Sequence, residues 1–346
     1  MGLVEKGLEF LDRISERAGY KNEWIVVREA DTASDYGVLP YQRKIEDHIN
    51  YGVINLDKPP GPTSHEVTAW VKKLFGVQRA GHGGTLDPKV TGVLPIGLAN
   101  STKVIGSVVH TVKEYVMVVQ LHGSVQPDKL REAIEYFKGR IYQKPPLRSS
   151  VKRTVRVKNI YEIEVLDYNH PFILMRVICD PGTYMRKLAH DLGLVLGVGS
   201  HMRELRRTRT GPFKEDETLV TLQEVSEAVY LWKSKGDERY LRKVIMPVEV
   251  SVVHLPKIVV LDTAVDAIAH GANLAAPGVA RVTSNVKTGE RVAIFTLKGE
   301  LVALAKALKD ATDIAKMDRG YVAETERVIM PRGVYPRAWK SKAGTS

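Results

Sequence analysis

The sequence predicts an α+β protein with two cores, a larger mixed and largely antiparallel-sheet domain followed by a small C-terminal β-barrel. Three observations carry this. A chain of 346 residues exceeds the usual size of a single core. Between about Tyr51 and Pro247, short apolar strands alternate with helical patterns and Gly/Pro turns. After His254-Leu255-Pro256 the pattern changes to short strands, KIVVL, RVAIFTL and RVIMP, separated by the Gly-bearing turns HGANL, KTGE and LKGE. The expected units are an extension over 1–45 packing on the C-terminal domain, a main domain over 46–252, the barrel over 253–336 and a disordered tail over 337–346.

Composition narrows the function classes. With 44% apolar and 26% charged residues the chain can bury a core and keep a wettable surface. Its apolar stretches are too short to cross a bilayer, the N-terminus lacks a signal-peptide layout, and Lys6 stands where myristoylation wants Ser or Thr. A cytoplasmic protein without a membrane role is expected. Cys179 is the one cysteine, which excludes an internal disulfide and a thiolate-based zinc site. The net charge of +11 and pI near 9.5 create a field that attracts polyanions, although solubility alone would also account for it. Clustering favours nucleic acid. One basic run holds Arg148, Lys152, Arg153, Arg156 and Lys158, and a second holds Arg203, Arg206, Arg207, Arg209 and Lys214. Arg206 and Lys152 are expected to contribute to the salt dependence of binding.

The elements follow in chain order. GLEFLDRISERAG reads as an amphipathic helix with Leu8, Leu11 and Ile14 on one face. GVINLDKPPGPTSHEVTAWVKKLFG is a strand, a stiff turn and a helix, with a Thr63/Glu66 capping box and Gly76 as the stop. Lys58 and His65 flank that turn and face either a ligand or solvent. In RAGHGGTLDPKVTGVLPIGL, glycines crowd around Asp87, and the following Pro88 holds it extended. Asp87 reads either as a nucleophile or as an Asx-turn residue. KEYVMVVQLHG is a buried strand that starts with Tyr115, a base-stacking platform or plain core. In FILMRVICDPGTYMRKLAHDLG, Thr183 suits a helix N-cap, and Met185, Leu188, Ala189 and Leu192 form the buried stripe. Arg186 falls off that stripe in the first turn, where a cation wants an anionic partner such as Asp87 or a phosphate.

Taken together, NLDKPPGPTSHEV, GHGGTLDPKVTGVLPIGL, KEYV, GTYMRKLAHDLG and LRRTRTGPF resemble the TruB-type pseudouridine synthases. KPPLRSSVKR and HMRELRRTRTGPFKEDETL resemble the archaeal dyskerin-type branch, the catalytic subunit of box H/ACA ribonucleoproteins. HGANLAAPGVARV and GERVAIFTLKGELVALAKA resemble a PUA domain. The resemblance implies that Asp87 is the catalytic aspartate, that Tyr115 packs against the target base and that Arg186 pairs with Asp87. It places His65 near the flipped nucleotide, Leu205 in the pocket wall and Lys58 in a first motif of mainly structural role. Two departures are Gly83, where the branch usually has Ser, and Ser101, where Ala is common.

Isomerising uridine breaks its glycosidic bond, turns the uracil and rejoins it through carbon, so no cofactor is implied. A carboxylate suffices, either by covalent attack or by stabilising and deprotonating a glycosidic intermediate. The target must be extruded from its stack to be reached. The implied substrates are rRNA, chosen by a guide RNA, and the T-loop uridine of tRNA. The implied partners are small Nop-type and Gar-type proteins and a kink-turn-binding ribosomal-type protein. The alternative is a non-catalytic RNA scaffold in which Asp87 is only a turn residue. A glycoside hydrolase is disfavoured, because no second carboxylate stands in a matching loop.

Overall fold

The computed structural model describes residues 2–144 and 154–338. Arg148, Lys152 and Arg153 of the first basic run, and the tail from 339 onward, lie outside the described residues. Among the described residues, eleven strands precede residue 250: β1 (Trp24–Val26), β2 (Gly52–Lys58), β3 (Ala80–His82), β4 (Thr91–Leu98), β5 (Lys113–Leu121), β6 (Gly139–Gln143), β7 (Arg156–Asn169), β8 (Phe172–Cys179), β9 (Ser200–Thr210), β10 (Phe213–Lys214) and β11 (Met246–Pro247). Six follow: β12 (Lys257–Val260), β13 (Leu274–Ala275), β14 (Val279–Thr283), β15 (Arg291–Thr296), β16 (Leu301–Ala307) and β17 (Tyr321–Val328).

Ten strands form one mixed sheet, in the order β11-β2-β4-β9-β5-β8-β7-β6 with β3 on β4 and β10 on β9. Its neighbours are antiparallel except β4 and β9, which run parallel through Thr91–Arg206 and Gly92–Arg207. At this joint Gly92 has φ +101°, and a Cβ there would come 2.2 Å from the Arg207 carbonyl oxygen. Only glycine lets the two backbones meet so closely.

Among the described residues, two longer helices pack on one half of the sheet and two on the other. Ser64–Phe75 and Leu222–Lys235 bury Val67, Val71, Val225 and Val229 against Ile54, Leu56, Leu94 and Ile96. The Thr63/Glu66 capping box starts the first helix and left-handed Gly76 ends it. Pro127–Glu135 and Met185–Val195 bury Leu130, Ile134, Leu188 and Leu192 against Met117, Val119, Met175 and Val177. The second of these helices differs from expectation at its start. Tyr184 is its N-cap residue, without a side-chain cap, because the Thr183 hydroxyl turns back and donates to the Asp180 carbonyl at 2.8 Å.

The C-terminal strands make an open, seven-stranded half-barrel in the order β1-β14-β12-β15-β16-β17-β13 around Ile258, Val282, Ile294 and Val302. Its edge strand β1 comes from the N-terminal segment, with Trp24 opposite Thr283. The helix Leu3–Arg17 lies beside it and buries Phe10 and Leu11 at the seam, among Val104, Val108, Phe295 and Leu297. Arg43 and Glu249, both buried, pair at that seam through bonds of 3.0 and 2.6 Å. Among the described residues, no helix is long and apolar enough to cross a membrane.

Candidate active site

The loop between β3 and β4 carries Asp87, and the groups that hold the loop leave its carboxylate free to project. Buried Lys58, at the end of β2, donates to the carbonyls of Pro59, Pro88 and Val90 at 2.9, 2.9 and 3.0 Å. The Ser64 hydroxyl donates to the Leu86 carbonyl at 3.0 Å and accepts from the Leu86 amide at 2.8 Å. Arg207 donates to the carbonyls of Gly84 at 3.0 Å and Val93 at 2.9 Å. Residues on both sides of Asp87 are therefore pinned by buried side chains, which keeps the loop from relaxing.

The Asp87 carboxylate meets Arg186 across a cleft, with Oδ2 to guanidinium 3.0 Å. Both side chains are about half exposed, at 55% and 52%. The cleft encloses about 530 Å³ and is lined by Leu86, Val90, Tyr115, Met185, Met202 and Leu205, together with Lys113, Arg156, Thr183 and Arg207. That volume suits a single nucleotide, and the wall combines apolar side chains with the charged groups of Asp87, Lys113, Arg156, Arg186 and Arg207, a make-up that suits a polar, anionic ligand with a flat apolar face.

Tyr115 and Arg207 face each other on β5 and β9. Burial raises the pKa of the Tyr115 phenol, whereas the hydrogen-bonded Arg207 guanidinium pulls it back. Burial in turn lowers the Arg207 pKa, against the pull of Tyr115. Leu205, two residues earlier on β9, stands opposite Met117 and forms part of the cleft wall.

The structure therefore brings Asp87, Tyr115, Arg186 and Leu205 to one cleft. Four other expected site residues sit differently. Lys58 faces neither ligand nor solvent, because its ammonium is buried and spent on three carbonyls, which fits the mainly structural role that the resemblance implied rather than a substrate contact. Arg207 is not a phosphate contact, because it is an interior clamp beneath the cleft. Arg206 bonds both Asp57 oxygens at 3.0 and 2.9 Å and also Glu215, which hold it charged and occupied. His65 is exposed in the first turn of its helix, edge-to-face with His82 at 5.0 Å between ring centroids, and is not part of the cleft lining. Arg203 remains exposed on β9.

Several contributors carry little signal in the sequence. Ser64 is hidden in a turn motif where Thr63 already explains the cap. Lys113 is signalled only by a lysine opening an apolar strand, and Met202 by nothing in its surroundings. At Gly83 a Cβ would meet Val108 and Pro95 at 3.3 to 3.5 Å, close to ordinary contact, so nothing in the structure explains the glycine there. The Ser101 hydroxyl is buried without a hydrogen-bond partner among the described residues.

An aspartate clamped on its loop and paired with arginine thus stands beside a half-buried tyrosine in a nucleotide-sized cleft on this mixed sheet, an arrangement that fits an enzyme isomerising uridine in RNA. Comparison with known proteins agrees, and the chain belongs to the TruB family of pseudouridylate synthases. The family's N-terminal domain model matches residues 72–185 and the tRNA pseudouridylate synthase B C-terminal domain model residues 186–253. A DKCLD domain matches 19–68 and a PUA domain 256–329. A probable tRNA pseudouridine synthase B of Methanopyrus kandleri is 55% identical over 92% of this chain and 94% of its own length. A protein of the same description from Pyrococcus furiosus is 51% identical over 94% and 96%. Among solved structures, a chain of an H/ACA RNP bound to a substrate RNA containing 2′-deoxyuridine superposes with TM-score 0.88 at 49% identity, covering 93% of this chain and 99% of that one. A chain of a Cbf5-Nop10-Gar1 complex gives TM-score 0.88 at 51% identity, covering 93% and 98%. The protein is thus a pseudouridine synthase.

Proposed function

We propose that this synthase works as the catalytic subunit of a guide-RNA ribonucleoprotein, with Asp87 as its reacting carboxylate. One observation carries the assignment: Asp87 projects from a loop clamped by Lys58, Ser64 and Arg207 and meets Arg186 at 3.0 Å. Arg186 favours the ionised carboxylate, the form that either attacks C1′ or steadies the positive charge that develops there. Tyr115 and Leu205 sandwich the extruded uracil, and the apolar wall excludes water while the base turns.

The guided reading is supported by likeness over nearly the full chain to proteins solved as an H/ACA RNP and as a Cbf5-Nop10-Gar1 complex. On this reading the partners are a guide RNA, small Nop-type and Gar-type proteins and a kink-turn-binding ribosomal-type protein. The substrate is rRNA, and the PUA-like unit over 253–336 grips the guide. Relatives described as tRNA pseudouridine synthase B support the T-loop uridine of tRNA as a second target.

Tritium release from RNA labelled at uracil C5 tests both parts. Wild type should release tritium, and Asp87→Asn should lose at least a thousandfold in rate while keeping RNA affinity. Release from a guide-paired substrate only with the partner proteins supports guided action, and release from a T-loop alone supports direct action. An active Asp87→Asn overturns the assignment of the carboxylate.

A further inference from the structure

We propose that Lys113 is a positioning residue for the isomerisation, a buried cation held beside Tyr115 and Arg207 that sets the field in which uracil leaves the ribose. The inference rests on reading the Asp87 cleft as the reacting site. Lys113 opens β5 two residues before Tyr115, on the same face of the strand, and its side chain lines the same cleft while only 4% exposed. Its ammonium donates to the Val108 carbonyl at 2.8 Å, to Thr210 Oγ1 at 2.6 Å and to Thr111 Oγ1 at 3.3 Å. Among the described residues no carboxylate bonds it. A lysine in such a place carries a large desolvation cost, and three neutral oxygens offset only part of it. A methionine would fill the space at less cost, so the charge needs a reason.

Among the described residues, the charged and titratable groups around it are few. Arg207 faces it from β9 and Cys179 from β8. His254 feels it from the segment before β12. Tyr115 shares its strand, and Asp87, Arg156, Tyr184 and Arg186 line the same cleft. Burial, with Arg207 adding to it, pushes Lys113 down to about 7, so its charge changes near neutrality.

The reaction supplies the reason. When the C1′–N1 bond breaks, its electron pair stays on the base, which becomes an anion inside the cleft. The turned base then bonds C1′ through C5 with its ring π pair, C5 loses its proton, and N1 gains one. Two buried cations below the base, Arg207 and protonated Lys113, stabilise the anion between these steps without touching it. A charge fixed in advance costs no reorganisation as the bond breaks.

The test is single-turnover tritium release by the complete complex from pH 6 to pH 9, with wild type, Lys113→Met, Lys113→Arg and Asp87→Asn. The wild-type rate should fall as pH rises through the Lys113 titration. Lys113→Met should be slower by roughly 10- to 100-fold at pH 6, the scale of one charge acting across a low-dielectric cleft, and should match wild type at pH 9. Lys113→Arg, permanently charged, should hold the pH 6 rate to pH 9, which guards against a misfolded Met variant. A Lys113→Met profile parallel to wild type and offset by a constant factor overturns the proposal, because a purely structural lysine predicts that shape. If Asp87→Asn retains the wild-type rate, the reading of the cleft falls and the proposal with it. An inactive Asp87→Asn beside an unchanged Lys113→Met defeats the lysine alone.

Discussion

At the scale of single residues, cations separate by where their charge ends up. Arg203, Arg206 and Arg207 are near neighbours on one strand with three fates: exposed, paired with two acids, and buried on two carbonyls. Arg203→Gln should therefore lower the salt slope of RNA binding by roughly 0.7 for each single-strand phosphate that it no longer neutralises. Arg206→Gln should leave the slope unchanged and lower the unfolding free energy by about 1 to 3 kcal/mol, since Asp57 and Glu215 lose a shared charged partner. Filter binding from 50 to 300 mM salt beside urea titration checks both, and a slope change for Arg206→Gln would restore it as a phosphate contact. This also marks the limit of the sequence. Asp87, Tyr115 and Arg186 stand in distinctive motifs, but a cation placed in a first helical turn called only for an anionic partner, Asp87 or a phosphate, and it was the family resemblance that implied the Asp87 to Arg186 pair. A run of arginines records charges but not the acids or carbonyls facing them, which come from β2, β4 and the segment after β10.

At the scale of elements, local signals were legible and long-range joints were not. Thr63, Glu66 and Gly76 mark both ends of a helix because capping is settled within a few residues. Thr183 misled, because a hydroxyl next to a Pro-Gly turn has a competing carbonyl at Asp180. The parallel joint of β4 and β9 joins residues more than a hundred positions apart, and only Gly92 hints at it. Gly92→Ala should be severe. The added methyl meets backbone at 2.2 Å at a φ that disfavours any side chain, costing on the order of 3 kcal/mol. Because Arg207 reaches from this joint to Gly84 in the Asp87 loop, tritium release should fall further than the unfolded fraction explains. Calorimetry and rate measured on the same preparation decide it, and normal activity in the folded fraction would uncouple the joint from the loop.

At the scale of the whole molecule, the protein carries buried basic groups near the seam between its two sheets. Burial pushes His254 down to about 4 and Lys257 down to about 8, against ordinary values of 6.5 and 10.5. A depressed basic group makes the unfolded chain bind more protons, so stability rises with pH between the folded and unfolded values. For His254 that window is pH 4 to 6.5, and for Lys257 pH 8 to 10.5. His254→Leu should gain on wild type in melting temperature as pH falls from 6.5 to 4, and a difference that stays constant over that range would show that His254 does not titrate there. The division into a large sheet and a smaller one was readable from the change of pattern after Pro256, and the extension over 1–45 was expected to pack on the C-terminal domain, but the pairing of Trp24–Val26 with the strand Val279–Thr283 was not foreseen, because the two lie at opposite ends of the chain. That arrangement also imposes an order in time. Trp24 waits for Thr283, so at roughly 5 to 20 residues per second the ribosome exposes the first strand for roughly 13 to 50 seconds before its mate is made. A strand made early is thus among the last to find its place.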